Sequence, residues 1–355
     1  RLLPAGEAAP AEGGFQVSGV IHPAPNGIEV TASLTGDTAD ALWTGVFARP
    51  LPTTNPGEAA GDVAHGIVRE LVPFRGPLHD RGRHWLDEQR RPLQAVNSYV
   101  CLLTYRLARE TGDSNNIADS LACYERLLLQ QPDQPLALSA VAWLETRALA
   151  NRELPGRELN ASLQDPLQRA ERAGGLAPQR SIAHDHVATI KNWQMRFDAA
   201  QESSVEALRL NPLNTDARAN YAIILARALE WMLAGEQAAL AIRDAAFPSP
   251  WYFYPAALNA FRSGQLDEAI MNGQIAAEFA NGEVATVVTL AAANEANRKD
   301  LVGTLRPRLM SMENLRRTGI MPWLAGQITD VSVLDRIADD LKAAGVPQDA
   351  LTGPF

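Results

Sequence analysis

The densest cluster of metal-type side chains in the sequence is His184-Asp185-His186. Imidazole and carboxylate groups bind zinc and related metals when they converge on a single point. Residues two apart on a helix point about 200° away from each other, so His184 and His186 cannot share a metal ion. We therefore predict structural or surface positions for both histidines, and neither a metal nor another cofactor.

Sequence patterns typical of catalysis are also missing. The glycines of Ala173-Gly-Gly-Leu176 fall at an expected helix end and lack the spacing of a phosphate-binding loop. There is no Gly-x-Ser-x-Gly elbow, and neither cysteine has a histidine nearby in sequence. The neighbours Asp339 and Asp340 diverge on a helix, and we expect both on its solvated surface. These patterns predict a chain that catalyses no reaction by itself.

Cys101 and Cys123 are the two cysteines of the chain, and they fall on two helices that we expect to be antiparallel. A disulfide requires Cα atoms within about 7 Å of each other, so a bond is geometrically conceivable. The register inferred from the prolines described below places the two residues about one helical turn out of alignment. We therefore expect two free, buried thiols.

The charge of the chain argues against a nucleic-acid partner. The net charge is −9, and only three lysines occur, whereas phosphate binding needs clustered Lys and Arg. The basic stretch Phe74–Arg91 also carries acidic residues and is interpreted as a solvated linker or first helix. No apolar stretch reaches the roughly 18 residues of a membrane helix, so we expect no membrane insertion by this chain.

The first 75 residues alternate apolar and polar side chains in three short segments, which is typical of β-strands. A loop over Pro50–Gly57 and a helix with apolar residues at helical spacing follow. We predict a small α/β unit over residues 1–75, a three-strand antiparallel meander plus a helix. Because its core is thin, we expect this unit either to lean on the rest of the chain or to be incomplete and lack its N-terminal half. The predicted elements are strands at Phe15–His22, Ile28–Leu34 and Ala41–Ala48 and a helix at Glu58–Leu71.

Beyond a linker or first helix at residues 76–95, every segment to about residue 313 has helical periodicity. Four apolar helices end at a proline (Pro132, Pro178, Pro212 and Pro248), with spacings of 46, 34 and 36 residues. A period near 34 made of two helices predicts a stack of helical hairpins over residues 96–320. The longer first gap is explained by a looped insertion at Asn151–Asn160, and a capping helix and tail follow at residues 321–355.

Ser203–Ala222 resembles the tetratricopeptide repeat, and the resemblance extends over about residues 96–313. It implies a mainly α fold, a tetratricopeptide-like α-α superhelix with the small N-terminal α/β unit. Pro248–Ile270 and Val333–Pro347 are similar to the late repeat and closing helix of bacterial membrane-tethered regulators, of the CadC-like winged-helix or adenylate-cyclase type. The three strand segments are similar to the second half of the TolB-N/FlgO-like unit of those regulators.

That resemblance implies the sensor or scaffold portion of a signalling or transcriptional regulator. The chain opens with Arg1-Leu-Leu-Pro rather than Met, and we expect it to be a piece of a longer protein. The resemblance implies a position on the periplasmic side of a bacterial inner membrane, tethered through a missing N-terminal segment, and the alternative is the cytoplasm.

The first helix of each hairpin in such a stack lines the concave surface, where we expect a protein, peptide or small-molecule ligand. Aromatic and scattered polar side chains are typical of recognition surfaces. The aromatic residues could instead fill the space between hairpins. A clamp for a peptide's terminal carboxylate is not expected, because Lys191, Asn192 and Asn220 match such a clamp poorly. The predicted binding residues are Tyr105, Trp143, Asp185, Thr189, Asn192, Trp251, Tyr254 and Phe261.

Two other functions stay open from the sequence. The stack could be a spacer or a homodimerisation platform without a ligand, which light scattering would detect as a stable dimer. An enzyme with its active site in the groove or in the N-terminal unit is the third hypothesis, and turnover by the purified chain would support it.

Overall fold

The computed structural model describes residues 15–36, 40–50, 56–88, 97–150, 156–279 and 282–355. The chain forms two compact units, residues 1–89 and 90–355. Residues 77–88, predicted as part of a linker or first helix, belong to the first unit as a 3-10 turn (Pro77–His79) and a helix. In the part of the chain that the structure describes, no helix is both long enough and apolar enough to cross a membrane.

The first unit contains the predicted meander. Strands β1 (Gln16–Ala24), β2 (Gly27–Thr35) and β3 (Ala41–Pro50) form an antiparallel sheet in the order β1-β2-β3. Helix α1 (Pro56–Leu71) follows, then α2 (Asp80–Glu88). One face of the sheet buries Val30, Ala32 and Phe47 against Val63 of α1, as the alternating pattern requires. Residues 51–55 of the predicted loop lie outside the described residues.

The second unit is helical throughout its described residues, apart from turns and one 3-10 segment (Pro250–Tyr252). Its first nine helices are α3 (Ser98–Thr111), α4 (Ser114–Gln130), α5 (Pro135–Ala150), α6 (Gly156–Ser162), α7 (Gln164–Leu176), α8 (Ser181–Trp193), α9 (Phe197–Leu210), α10 (Thr215–Arg227) and α11 (Trp231–Asp244). The remaining eight are α12 (Phe253–Arg262), α13 (Leu266–Ala276), α14 (Glu283–Glu295), α15 (Lys299–Met310), α16 (Glu313–Thr318), α17 (Ile320–Ala325), α18 (Val331–Ala343) and α19 (Gln348–Thr352).

These helices pack as consecutive hairpins: α3–α4, α5–α7, α8–α9, α10–α11, α12–α13 and α14–α15. From α5 onward, the first helix of each hairpin also packs against the first helix of the next. Helices α4, α7 and α9 each end two residues before a predicted stop at Pro132, Pro178 or Pro212. The proline period therefore predicted the hairpin stack correctly.

Small residues bring paired helices close together. The alanines at these contacts are buried, for example Ala188 of α8 and Ala200 of α9, which share a core cluster with Ile224. The insertion after α5 differs from the prediction. Residues 156–160, expected to loop out, belong to α6, which packs beside α7. Residues 151–155 lie outside the described part.

The turn inside each regular hairpin contains one residue in the left-handed region of φ. These residues are Gly112 (φ 67°), Met195 (φ 61°), Leu229 (φ 66°), Gly264 (φ 74°) and Asn297 (φ 55°). The last four are 33 to 35 residues apart, which is the hairpin period. Non-glycine residues adopt this region at a cost, so the turn geometry is set by the packed helices and not by local preference.

The cysteines correct a prediction, because Cys101 and Cys123 form a disulfide with a Cα–Cα distance of 5.4 Å. Both lie 11 residues from Gly112, at which α3 turns into α4. Residues equally distant from the turn of an antiparallel hairpin face each other. The expectation of two free thiols failed because the register was taken from the prolines at the ends of hairpins instead of from the turn within this one.

The C-terminal segment after α15 folds back along the stack. Helix α18 packs against α14, as expected of a capping helix. The same segment also reaches α10 and α11, where Thr329 Oγ1 donates to the Arg227 carbonyl (2.6 Å) and Trp231 Nε1 donates to Asp330 (3.0 Å). On α18, Asp340 is buried (8% exposed) instead of lying on a solvated surface, because that face of the helix packs against α14.

Candidate ligand-binding pocket

A cavity of the second unit lies where the first helices of the six hairpins meet, and we call it the first-helix pocket. Its volume is about 170 Å³. The aromatic lining residues are Trp143, Trp193, Trp251, Tyr254, Phe279 and Trp323. The polar and charged ones are Arg109, Arg147, Thr189, Asn192, Asn220, Arg227, Asn314 and Gln327. An aromatic enclosure with a few polar groups is the usual composition of a small-molecule site.

One wall of the pocket comes from the C-terminal segment. Asn314 of α16, Trp323 of α17 and Gln327 after it line the cavity together with the repeat helices. The Gly326 carbonyl lies 3.5 Å from Arg227 Nη2, at the limit of hydrogen bonding. The pocket is therefore bounded on this side and is not an open groove.

Arg109 of α3 is the centre of a buried polar network behind one side of the pocket. Its Nη1 donates to Asp185 Oδ2 at 3.1 Å and to the Tyr105 hydroxyl at 3.0 Å. Its guanidinium carbon lies 5.2 Å from the ring centre of Trp143 and 5.6 Å from that of Trp251. Arg109 thus orders two aromatic walls of the pocket by cation–π contact while its own charge is paired.

Two carboxylates, those of Asp185 and Asp216, balance the positive charge of Arg109 in this network. Asn220 Nδ2 donates to Asp185 Oδ1 (2.8 Å), and the Tyr252 hydroxyl donates to Asp216 Oδ1 (2.7 Å). Burial raises the pKa of Asp185, in spite of Arg109 beside it. Burial also acts to raise the pKa of Asp216, but the guanidiniums of Arg109 and Arg106 outweigh it, and that pKa lies below its usual value. The network joins α3, α8, α10 and the Pro250–Tyr252 turn.

His186 extends the network toward α5. The Tyr105 hydroxyl lies 2.6 Å from His186 Nε2. On the other side of the ring, His186 Nδ1 donates a hydrogen bond to the Ser139 carbonyl oxygen at 2.9 Å. Burial, together with the positive charge of Arg109, holds the pKa of His186 well below its usual value, so the ring is neutral. Within the described residues no three His, Cys, Asp or Glu side chains could hold a metal together. His186 therefore links α3, α5 and α8 through hydrogen bonds.

Arg147 of α5 and Arg227 of α10 differ from Arg109, because neither has a carboxylate within ion-pair distance among the described residues. Burial lowers the pKa of Arg147 to about 10, assisted by the charge of Arg109 and opposed by Glu283. Burial also lowers the pKa of Arg227 to about 10. Both side chains are still cationic near neutral pH, and both line the pocket.

Arg227 is held mainly by aromatic rings. Its guanidinium carbon lies 5.2 Å from the ring centre of Trp193 and 5.7 Å from that of Phe197. Among the described residues its buried Nε has no hydrogen-bond partner, and Nη2 contacts the Met195 sulfur at 3.2 Å. Asn192 Oδ1, which belongs to another residue lining the pocket, is also buried without a partner in the described part of the chain. Unsatisfied polar atoms around one cavity indicate a place where a ligand completes the hydrogen bonding.

The structure brings five of the eight predicted binding residues to the pocket: Trp143, Thr189, Asn192, Trp251 and Tyr254. The other three do not line it. Tyr105 and Asp185 are buried in the network around Arg109, and Phe261 is fully buried in the core beneath Arg336, whose guanidinium carbon lies 4.3 Å from its ring centre. The pocket residues that the prediction omitted include Arg147, Trp193 and Arg227.

Helical spacing would have revealed these omitted residues. Arg147 and Trp193 lie four residues after the predicted residues Trp143 and Thr189, and Arg227 lies four residues after Ile223, which also lines the pocket. Residues four apart share a helix face, so each belongs to the next turn of the same surface. The side chains from the C-terminal segment carry no such signal, because their position depends on how that segment folds back.

Comparison with known proteins gives the fold. No family model and no curated protein sequence matches the chain. A structure of a human IFIT1 dimer with PPP-AAAA is 14% identical, covers 77% of this chain and 74% of that chain, and has a TM-score of 0.51. PilW, a widely conserved type IV pilus biogenesis factor, is 17% identical, covers 62% of this chain and 97% of that chain, and has a TM-score of 0.43.

A third solved structure, the Cut9–Hcn1 hetero-tetramer of the APC/C, is 14% identical over 83% of this chain and 62% of that chain, with a TM-score of 0.47. The similarity to the IFIT1 structure agrees with the hairpins described above. The chain is mainly α, a tetratricopeptide-like stack of helices, with a three-strand antiparallel sheet in its N-terminal unit.

Proposed function

We propose that this chain is a non-catalytic binding module and that its ligand occupies the first-helix pocket. The observation that carries the proposal is a cavity of about 170 Å³, walled by aromatic rings and containing two arginines without carboxylate partners among the described residues. Removing a cation from water costs free energy that an ion pair normally offsets. A structural core gains nothing from such groups, whereas a ligand supplies the missing partner.

A spacer or dimerisation platform is the alternative function, and it does not account for this pocket. A stack that only separates two domains needs buried apolar faces between hairpins, and the alanine contacts supply those. Strongly shifted pKa values cluster where proteins bind or react. Those of Arg147 and Arg227, both lowered by burial, occur at the same cavity.

Two further parts of the proposal rest on resemblance. The repeat unit is proposed as the sensor or scaffold portion of a bacterial membrane-tethered regulator, with ligand binding relayed to an effector outside this chain. The proposed location is the periplasmic side of the inner membrane. The disulfide between Cys101 and Cys123 supports that location, because disulfides persist in oxidising compartments and are rare in the cytosol.

A thermal-shift screen of small organic acids, amines and short peptides tests the proposal with the full chain and Trp143→Ala. A ligand that binds only the folded state raises the unfolding midpoint, by an amount that grows with the logarithm of its concentration relative to Kd. We expect at least one compound to stabilise the wild-type chain, and Trp143→Ala to remove the shift because it opens one wall of the pocket. Circular dichroism would establish that the variant keeps its helicity.

The matched control for this screen is Leu129→Ala, since Leu129 is 86% exposed and does not line the pocket. Leu129→Ala is expected to respond to the compound as the wild type does. Ligand shifts that are the same in Trp143→Ala and in the wild type would contradict a binding role of the pocket. A stable dimer by light scattering, with no compound producing a shift, would favour the platform.

A further inference from the structure

We propose that the first-helix pocket takes a small aromatic carboxylate, with its ring between the tryptophan walls and its carboxylate held by arginines of the pocket. This inference rests on the proposed function and names the chemistry of the ligand. It depends on three observations: the charge of the pocket, the composition of its walls and its size.

The charge of the pocket selects an anion. Arg147 and Arg227 bring two positive charges to the cavity without ion-pair partners among the described residues, and Arg109, which also lines it, is already paired with Asp185. Glu283 opposes the charge of Arg147 electrostatically, and its Oε1 accepts from Asn314 Nδ2 at 2.8 Å. An amine would be repelled in a site with little water, whereas a carboxylate matches the planar fork of a guanidinium.

The aromatic walls of the pocket favour a ligand that contains an aromatic ring. Trp143 and Trp251 lie on the side of Arg109, and Trp193 and Tyr254 lie on the side of Arg227. Rings arranged in this way offer both faces and edges for offset or edge-to-face contact with another ring. A bare inorganic anion would leave these surfaces without contact, so charge alone does not explain the site.

The size of the cavity selects a small molecule. A cavity of about 150 Å³ accommodates benzene, and the volume here is about 170 Å³. Trp323 and Gln327 of the C-terminal segment close one side, so an extended peptide has no continuous path along the surface at this point. The first-helix pocket therefore differs from a clamp that holds the terminal carboxylate of a peptide lying in an open groove.

Isothermal titration calorimetry of the full chain tests the inference with three probes of equal size. We expect phenylacetate to bind, phenylacetamide to bind about 10- to 100-fold more weakly because it lacks the charge-assisted hydrogen bonds, and phenethylamine not to bind. Inorganic phosphate, which carries charge without a ring, is expected to bind more weakly than phenylacetate. A tripeptide that ends in Phe tests for peptide-terminus recognition.

Variants assign the carboxylate to its partners. Arg147→Gln and Arg227→Gln are expected to weaken phenylacetate binding by about tenfold or more each, and Arg209→Gln is the matched control. Arg209 lies on α9, is paired with Glu206 at 2.7 Å and does not line the pocket. Arg227 has tertiary contacts that its loss could disturb, so Arg147→Gln, which breaks no hydrogen bond among the described residues, keeps the test decisive.

The outcomes separate the inference from the proposed function. Equal binding of phenylacetate and phenylacetamide, tighter binding of phenethylamine, or no binding of phenylacetate at millimolar concentration would overturn the carboxylate inference. The proposed function would stand in each case if a Trp143-dependent ligand emerged from the thermal-shift screen. Preference for the tripeptide over phenylacetate would replace the small acid with a peptide terminus.

Discussion

Single charged side chains determine what the pocket can bind. Arg109 is embedded in hydrogen bonds and an ion pair with Asp185, so it is a structural element of the walls. Arg147 and Arg227 have no such partner among the described residues, and burial lowers the pKa of each to about 10. Buried charged groups of this kind destabilise the free protein, and we expect them at a cavity where a bound ligand offsets that cost.

This balance predicts that Arg147→Gln stabilises the free protein while it weakens ligand binding. Removing an unpaired, partly buried cation near Arg109 should raise the free energy of unfolding by about 1 kcal/mol. Urea denaturation followed by circular dichroism measures the change, with Arg209→Gln expected to leave the free energy of unfolding unchanged because that side chain is exposed. A clear loss of stability in Arg147→Gln would mean that this arginine is structural.

The neighbouring carboxyl groups of Asp340 on α18 and Glu295 on α14 make the free energy of unfolding depend on pH. Burial, together with the neighbouring Glu295 carboxyl group, raises the pKa of Asp340 to about 7. The native state therefore keeps a proton between about pH 4 and pH 7 that the unfolded chain releases. This contribution to stability is fully present below about pH 4 and is lost as the pH rises through about 7.

Asp340→Asn is predicted to remove this dependence. At pH 8 the variant should be more stable than the wild type by about 2 kcal/mol, roughly half the value of the whole shift, because solvent reaches Glu295. At pH 4.5 the two proteins should be nearly equal. Asp339→Asn is the control, since the Asp339 side chain is 81% exposed. Parallel stability curves of Asp340→Asn and the wild type from pH 4.5 to 8 would contradict the raised pKa of Asp340.

The hairpins owe their regular form to two kinds of turn. Between hairpins, prolines end helices α4, α7 and α9, and their spacing allowed the stack to be predicted from sequence. Within hairpins, one left-handed residue reverses the chain, and three of the five are not glycine. Met195 and Leu229 carry no sequence signal for a turn, so the helix boundaries there follow from packing.

Leu229→Gly is expected to stabilise the second unit. Leu229 has a φ of 66° and is 52% exposed, so the side chain contributes little packing while the backbone is strained. Relief of that strain should raise the free energy of unfolding by about 1 kcal/mol, after the entropy of glycine in the unfolded chain is subtracted. Leu229→Ala, which keeps the strain, serves as the comparison. A Gly variant no more stable than the Ala variant would exclude strain at this turn.

The second unit is more closed than its repeat pattern suggests. The C-terminal segment was predicted as a cap on the last hairpin, and it also reaches back to Arg227 and Trp231, about 100 residues earlier in sequence. No local pattern encodes such a contact, which depends on the fit of surfaces formed only after folding. This is why the helix pairs were predictable and the closed wall of the pocket was not.

Local helical spacing predicted some residues of the pocket, but it did not show which side chains other residues cover after folding. Trp143, Thr189 and Asn192 were found because helical spacing marks one face of a helix. Tyr105, Asp185 and Phe261 follow the same spacing but do not line the pocket, since Arg109 and Arg336 cover them. Arg227, one of the two arginines on which the proposed ligand depends, was not among the predicted residues.

The most direct test of the central claim is a crystal structure of the full chain soaked with phenylacetate or with the most stabilising compound of the thermal-shift screen. We predict density in the first-helix pocket, with the ring against Trp143, Trp193 or Trp251 and the acidic group within hydrogen-bond distance of Arg147 or Arg227. Density for the compound at another site, with the pocket left as it is in the free protein, would contradict the claim.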